Sequence, residues 1–140
     1  MTVMQLVYAS RPFGYGDLEL SNILHIARAN NARDGVTGAL ICREDLYLQL
    51  LEGPRDKVTA AFAKINRDER HTEVTPLIAC DVGARLFPEW AMRDDPAKSW
   101  MWTADEVRAG AVASATPDDV RGVFVRLAGE TRPRLKLCPA

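Results

Sequence analysis

The residue whose type most clearly suggests chemistry is Gln49, the one uncharged polar amide in the apolar, strand-like stretch LYLQLLEGP (46–54). A buried primary amide without partners costs about 1–3 kcal/mol, so its side chain is expected to be well paired or useful. A glutamine amide has an acceptor at one end and a donor at the other. Turning it end for end reverses its hydrogen bonds without creating a buried charge. Gln49 is therefore a candidate switch between two hydrogen-bonded states.

Other polar side chains are candidates to share a slot with Gln49. Tyr8 lies in the strand-like run MQLVYAS (4–10), and Asn30 and Asn31 continue the apolar stripe of an amphipathic helix. Because a helix repeats every 3.6 residues, at least one of these two amides is expected to point between helices. The structural alternative is a helix end, since Asn suits the left-handed cap position. A phenol and several amides that converge on one slot favour a functional site.

The elements that position these residues follow from the hydrophobic periodicity. Strands are predicted at 4–10, 36–43, 46–53, 74–82 and, as a fifth, 87–94; helices are predicted from Leu18 to Gly35 and after Pro54. The order strand, helix, strand, strand, helix, strand is that of the ferredoxin-like βαββαβ sandwich, an α+β fold with a mixed sheet and two helices on one face. Strands one and three are neighbours in that fold, so Tyr8 and Gln49 are expected to lie side by side.

The third strand is apolar on both faces, because Leu46, Leu48 and Leu50 alternate with Gln49. The sheet face away from the first two helices must therefore also be covered. The segments TADEVRAGA and TPDDVRGVFVRLAGE contain two helix starts, with threonine N-caps and acidic first turns. These C-terminal helices, or a partner subunit, are the candidates for that cover. We accordingly expect a domain at 1–97 and a C-terminal helical extension at 98–140.

Composition excludes several classes of function. The 140 residues include 18 basic and 19 acidic side chains, for a net charge of -1, so neither nucleic acid nor an anionic membrane is an expected partner. The three cysteines are far apart and lack the paired spacing of a zinc site, so no metal is expected. The start of the sequence lacks a leader, and no segment has the apolar length of a membrane span. A cytoplasmic protein is predicted.

Five motifs in order resemble the BLUF family of blue-light sensors that use flavin. They are LVYAS, ARANNARDGVTGAL, YLQLLEG, INRDERHTEV and FPEWAM, and they extend over about residues 4–94. The resemblance implies a photoreceptor rather than an enzyme, with an oxidised flavin bound noncovalently. FAD is the first expectation, and FMN and riboflavin are the alternatives. The length is similar to that of the short, stand-alone members of the family.

The resemblance also implies roles for individual residues. Tyr8 matches the tyrosine that donates an electron and a proton to the photoexcited flavin, and Gln49 matches the glutamine that bridges this tyrosine to the ring. Asn31 matches an asparagine that hydrogen-bonds the polar edge of the ring. Asn30 matches a neighbouring position that varies between Asn and His.

Seven further positions carry implied roles: Ile23, Ile65, Asp68, Arg70, His71, Trp90 and Met92. The two isoleucines match residues against the faces of the ring. The aspartate, arginine and histidine match residues near the ribityl and phosphate end of the flavin, with a solvated helix end as the structural alternative. The tryptophan and methionine match residues of the last strand whose placement near the glutamine changes with light.

Two other functions stay open, because one fold hosts many activities. An acylphosphatase-like enzyme needs an arginine-bearing phosphate loop after strand one; SRPFGYG carries Arg11 but not the spacing of a phosphate cradle. A regulatory module would bind a small metabolite between subunits and dimerise through the apolar sheet face. For the photoreceptor, we expect a downstream protein partner that reads the last strand or the C-terminal helices, with a homodimer as a further alternative.

Overall fold

The computed structural model describes residues 2–12, 17–43, 45–67, 71–89, 92–96 and 101–137, leaving aside the side chains of 12, 17–20, 23, 71–72, 93–96 and 130–137. The elements in this part of the chain are β1 (Val3–Pro12), α1 (Asp17–Asp34), β2 (Thr37–Arg43), β3 (Leu46–Gly53), α2 (Arg55–Arg67), β4 (His71–Val82), β5 (Arg93–Pro96), α3 (Ala104–Arg108) and α4 (Pro117–Leu137). None of the helices in these ranges is long and apolar enough to cross a membrane.

The strands form one sheet in the order β4-β1-β3-β2-β5. The first four strands are antiparallel to their neighbours, and β5 pairs in parallel with β2. This is the predicted ferredoxin-like α+β fold with a mixed sheet. The central position of β1 and β3 follows from the split βαβ topology, in which α1 carries the chain across the place of β3 and α2 carries it across β1.

The fifth strand lies later in the chain than predicted. It covers Arg93–Pro96 rather than 87–94, and residues 83–89 form bends and turns. The backbone N–H groups of Leu86 and Phe87 donate hydrogen bonds to the carboxylate of Glu52. Pro88 has no N–H to donate. The start of the predicted strand therefore lacks the donors that a ladder needs.

Gly35 and Gly38 fix the path of the chain from α1 into the sheet. Gly35 has a positive φ of 71°, and the N–H of Val36 donates to the carbonyl of Asn31 at 2.9 Å, which closes the end of α1 as predicted. At Gly38 the backbone of β3 approaches so closely that an added Cβ atom would lie 1.8 Å from the carbonyl oxygen of Leu50. Any side chain at this position would force β2 away from β3.

Two hydrophobic clusters cover the two faces of the sheet. One lies on the face of α1 and α2 and contains Leu6, Tyr8, Leu24, Tyr47, Leu51, Val58 and Met92. The other lies on the face of α4 and contains Val7, Leu48, Leu50, Phe87, Val120, Phe124 and Leu127. Every residue of β3 is buried, because both of its faces are covered. The prediction that C-terminal helices cover the second face is confirmed.

Side-chain caps begin both C-terminal helices at the predicted residues. Thr103 accepts from the N–H of Glu106 at 3.1 Å, and Glu106 accepts from the N–H of Thr103 at 2.8 Å, which is a capping box. Thr116 accepts from the N–H of Asp119 at 3.1 Å, and Pro117 takes the first helical position of α4. These caps satisfy backbone donors that a helix start leaves unpaired.

The strand β4 is irregular along its pairing with β1. The register shifts between Val7 and Tyr8, opposite Pro76, and again between Ala9 and Arg11. Glu73 lies in the second irregular stretch and has a positive φ of 53°, which is uncommon for a residue with a side chain. Register shifts of this kind are typical of β-bulges, which bend the strand that contains them.

Candidate functional site

Tyr8 and Gln49 face each other across β1 and β3, as the sequence predicts. Both are buried, with 0% and 5% of their surface exposed. The hydroxyl of Tyr8 donates to Oε1 of Gln49. The candidate switch therefore has a phenol as its first partner, on the sheet face that α1 and α2 cover.

The other end of the Gln49 amide contacts the segment that leads into β5. Nε2 of Gln49 donates to Sδ of Met92 at 3.2 Å, and Met92 is 1% exposed. Nε of Arg28, on α1, donates to the backbone carbonyl of Met92 at 2.8 Å. A thioether sulfur is a weak acceptor, so the backbone of Met92 is held more firmly than its sulfur.

Aromatic and aliphatic side chains of α2 close the site beside Tyr8. The rings of Tyr8 and Phe62 have centroids 5.4 Å apart and planes tilted by 45°. Phe62 and Ile65 are half-buried and pack against the cluster on this face. Their spacing along α2, three positions apart, puts both on the helix side that faces the sheet.

The two asparagines of α1 differ in burial. Asn31 is 5% exposed and Asn30 is half-buried. Asn31 follows the buried Leu24 by seven positions, two helical turns, so it shares that side of α1. The burial of Asn31 agrees with the expectation that at least one of these amides points between helices, and its backbone carbonyl also forms the helix end.

Five predicted site residues are placed only in part or not at all. Trp90, Asp68 and Arg70 lie outside the described residues. Ile23 lies within α1 and His71 is the first residue of β4, but the description of both stops at the backbone. Their assignments to the flavin stay predictions.

Three residues of the site and its supports are missing from the sequence-based set. Arg28 holds the carbonyl of Met92, and its position three residues before Asn31, on one helical side, is the signal that could have found it. Phe62 contacts Tyr8, although its helical spacing alone is also that of ordinary core. Glu52 is fully buried on the opposite face of the sheet, and nothing in a charged residue at a strand end predicts that burial.

In the part of the site that the structure describes, the buried groups are neutral. A phenol, two amides and a thioether lie buried on one sheet face, with the guanidinium of Arg28 at the backbone of Met92. Neutral donors and acceptors beside aromatic and aliphatic side chains fit a flat heteroaromatic ring whose edge carries both carbonyl and N–H groups. The donor set therefore fits a flavin. It can reverse the direction of a hydrogen bond at that edge without moving a charge.

Comparison with known proteins gives one consistent family. The family model for BLUF, described as sensors of blue-light using FAD, matches residues 3–93. The beta subunit of the photoactivated adenylate cyclase of Euglena gracilis is 36% identical over 92 residues, which are 65% of this chain and 10% of that protein. This chain thus spans about a tenth of the length of that curated relative.

Solved structures agree with the family model. The dark-state structure of BlrB, a BLUF protein, has a TM-score of 0.78 and 28% identity, and the match covers 91% of this chain and 96% of that one. A bacterial light-regulated adenylyl cyclase has a TM-score of 0.65 and 28% identity, and the match covers 96% of this chain but 35% of that one. With the fold, the buried Tyr8–Gln49 pair and a match over residues 3–93, the chain belongs to the BLUF family of blue-light sensors that use FAD.

Proposed function

We propose that Gln49 is the light-operated switch of this sensor, and that Tyr8 would give an electron and its phenolic proton to the photoexcited flavin and take both back after the amide has turned, so that the flavin ends oxidised. The observation that carries this proposal is a pair of buried hydrogen bonds that link Tyr8 to Gln49 and Gln49 to Met92. One amide receives a hydrogen bond at one end and gives a weak one at the other. Its orientation is therefore set by whether the tyrosine donates.

When bound, the flavin supplies the blue absorption and the redox capacity. Tyr8 holds its proton against Oε1 of Gln49, so loss of that proton removes the donor that fixes the amide. A turned amide would place Nε2 toward the tyrosine and Oε1 toward Sδ of Met92. Two acceptors would then face each other, so the Met92 side chain must move. Its unbranched thioether chain has the rotatable bonds to do so.

The remaining contacts to flavin are proposed from the family resemblance. Asn31, and with it Asn30, would hold the polar edge of the ring, and the burial of Asn31 supports this role. Ile65, packed at the sheet face, would contact the ring opposite Ile23. The ribityl and phosphate end would lie near Asp68, Arg70 and His71. FAD is the expected flavin, because the family model is defined by it.

We further propose a sensor module without enzymatic activity of its own, in which residues 98–140 extend the domain at 1–97 and pass on its state. The packing of α4 against the sheet supports a role of the extension in passing on the state of the domain. A partner protein would read the surface near α4 or β5. The cytoplasmic location and the homodimer alternative stay predictions.

The decisive test of the proposed function is the visible absorption spectrum of the purified protein in darkness and directly after blue illumination. We expect an oxidised flavin spectrum that moves slightly to the red in light and returns in darkness. A stronger hydrogen bond from the turned amide to the ring would cause this shift. A flavin that only bleaches would reject the switch at Gln49, and a protein that cannot take up flavin would return attention to a metabolite-binding module.

A further inference from the structure

A second buried polar chain lies on the face of the sheet opposite the Tyr8–Gln49 pair. Glu52 of β3 is fully buried, and its carboxylate accepts from the backbone N–H groups of Leu86 at 2.9 Å and Phe87 at 3.0 Å. The same carboxylate accepts from Nε2 of Gln5 at 3.0 Å. Hydrogen bonds to a carboxylate are stronger than those between neutral groups, so the Leu86–Phe87 turn is held firmly.

Gln5 links the Glu52 carboxylate to α4 through a second hydrogen bond. Its Oε1 accepts from Nε of Arg121 at 3.1 Å, and Nη2 of Arg121 also contacts Sγ of Cys80 at 3.2 Å. Gln5 pairs with Glu52 of β3 on one side and with Cys80 of β4 on the other, so Arg121 contacts two neighbouring strands at Gln5 and Cys80. A reversed Gln5 amide would set oxygen against the carboxylate and NH₂ against the guanidinium. The charged neighbours therefore lock this amide in one orientation.

Both polar chains end on the same short connection between β4 and β5. Phe87 and Met92 are five positions apart in the sequence. Phe87 is held by Glu52 on the α4 face, whereas Met92 is held by Gln49 and Arg28 on the flavin face. Phe87 and Met92 are thus held from opposite faces of the sheet.

We infer that Glu52, Gln5 and Arg121 form a positioning chain that joins the orientation of Gln49 to the position of α4. The light-dependent part rests on the proposed function of Gln49. Phe87 adds an apolar link to the same helix, because its ring meets that of Phe124 edge-on at a centroid distance of 6.4 Å. Coupling between two sites is reciprocal, so a weakened grip by α4 must alter the relative stability of the two amide orientations.

The test uses the full chain, purified in darkness, with Gln5→Met, Arg121→Met and the double variant. Arg126→Met, an exposed arginine on the same helix, is the matched control. Amide hydrogen exchange at Leu86 and Phe87, followed by NMR in darkness, reports how firmly Glu52 holds these two backbone amides. The rate of dark recovery after a blue flash reports its coupling to Gln49.

We expect each single variant to speed exchange at both amides and to slow dark recovery severalfold, because a looser connection draws Met92 back toward Gln49 less strongly. Since both residues act in one chain, the double variant should match the larger single effect rather than the product of the two. The Arg126→Met protein should behave as the unmodified one. Unchanged exchange, multiplicative effects, or unchanged or faster recovery in Arg121→Met would overturn the inference. If the unmodified protein shows no light-induced shift, the proposed function fails, and the exchange rates alone still decide whether Arg121 holds the connection.

Discussion

Gln49 carries two hydrogen bonds of unequal strength. A phenol that donates to an amide oxygen is an ordinary neutral hydrogen bond, of about 0.5–1.5 kcal/mol net, whereas the thioether of Met92 is a weak acceptor. Little free energy therefore opposes the loss of the sulfur contact once Tyr8 stops donating. Gln5, the other glutamine of the chain, lies between a carboxylate and a guanidinium and has no such freedom. The neighbours, not the residue type, hold Gln5 in one orientation and allow the turn that we propose for Gln49.

Replacement of Gln49 by leucine should abolish the light-induced red shift while the protein still binds flavin. Leucine fills the same buried space but has neither the donor nor the acceptor that the switch needs. Difference spectra measure the shift, and the absorbance of flavin released on denaturation measures occupancy. Gln5→Leu is the comparison for loss of a buried glutamine: it should keep the size of the shift and change only the rate at which the shift reverses in darkness. A shift of normal size in Gln49→Leu would exclude the amide as the switch.

The centre of the site could be predicted from the sequence, because strand alternation and the order of elements together place Tyr8 beside Gln49. Its supports could not. Arg28 and Glu52 are charged residues of kinds that are mostly exposed, and only tertiary packing shows that one holds the carbonyl of Met92 and the other two backbone amides. The roles of Asp68, Arg70 and Trp90 stay predictions.

Among the elements, the β2–β3 hairpin is held at its turn by a side-chain fork. Nε and Nη2 of Arg43 donate to the two carboxylate oxygens of Asp45, and Nη1 donates to the carbonyl of Trp102 at 3.0 Å. The hydrogen bond from Arg43 lowers the pKa of Asp45, against the opposing effect of burial. The fork thus joins the hairpin to the segment before α3.

Asp45→Asn should lower the free energy of unfolding at pH 7 by about 0.5–1 kcal/mol, since the pair is only partly exposed. The folded pKa of Asp45 lies below its unfolded value of about 3.9, so this stabilisation is present above that pH and is lost as the pH falls through the folded value. Urea unfolding at pH 7 and near pH 3 measures the difference. Asp81→Asn, whose partner Arg55 is largely exposed, is the control and should change little. An equal effect of Asp45→Asn at both pH values would contradict the assigned ion pair.

At the scale of the whole molecule, α4 is part of the core rather than an appendage. Val120, Phe124 and Leu127 are fully buried on it, and Phe124 contacts the same connection that leads to Met92. Stability and the proposed signal therefore share one interface. A partner that moved α4 would also affect the packing of the sheet.

Phe124→Ala should destabilise the protein by about 3–5 kcal/mol, because it removes a buried ring and leaves a cavity. Val125→Ala, one position along the same helix and 50% exposed, should change stability by less than about 0.5 kcal/mol. Urea unfolding followed by circular dichroism measures both values in darkness. Similar small effects for the two variants would show that α4 does not pack on the sheet in solution.

The general architecture was predictable because β3 is apolar at both alternating sets of positions, which requires cover on two faces. The position of β5 could not be predicted from the sequence. Its pairing with β2 depends on residues more than fifty positions apart, and the donors of the preceding turn are taken by a side chain from β3. Local hydrophobic periodicity cannot predict that the side chain of Glu52 binds the N–H groups of this turn.

The bent strand β4 also has a consequence for assembly. It lies at one end of the sheet, and strand edges are where chains add to one another and form aggregates. Pro76 lacks an N–H, and the register shifts at Pro76 and around Glu73 interrupt the regular pairing of this strand. A strand with such interruptions is a poorer template for a strand from another molecule than a regular edge strand.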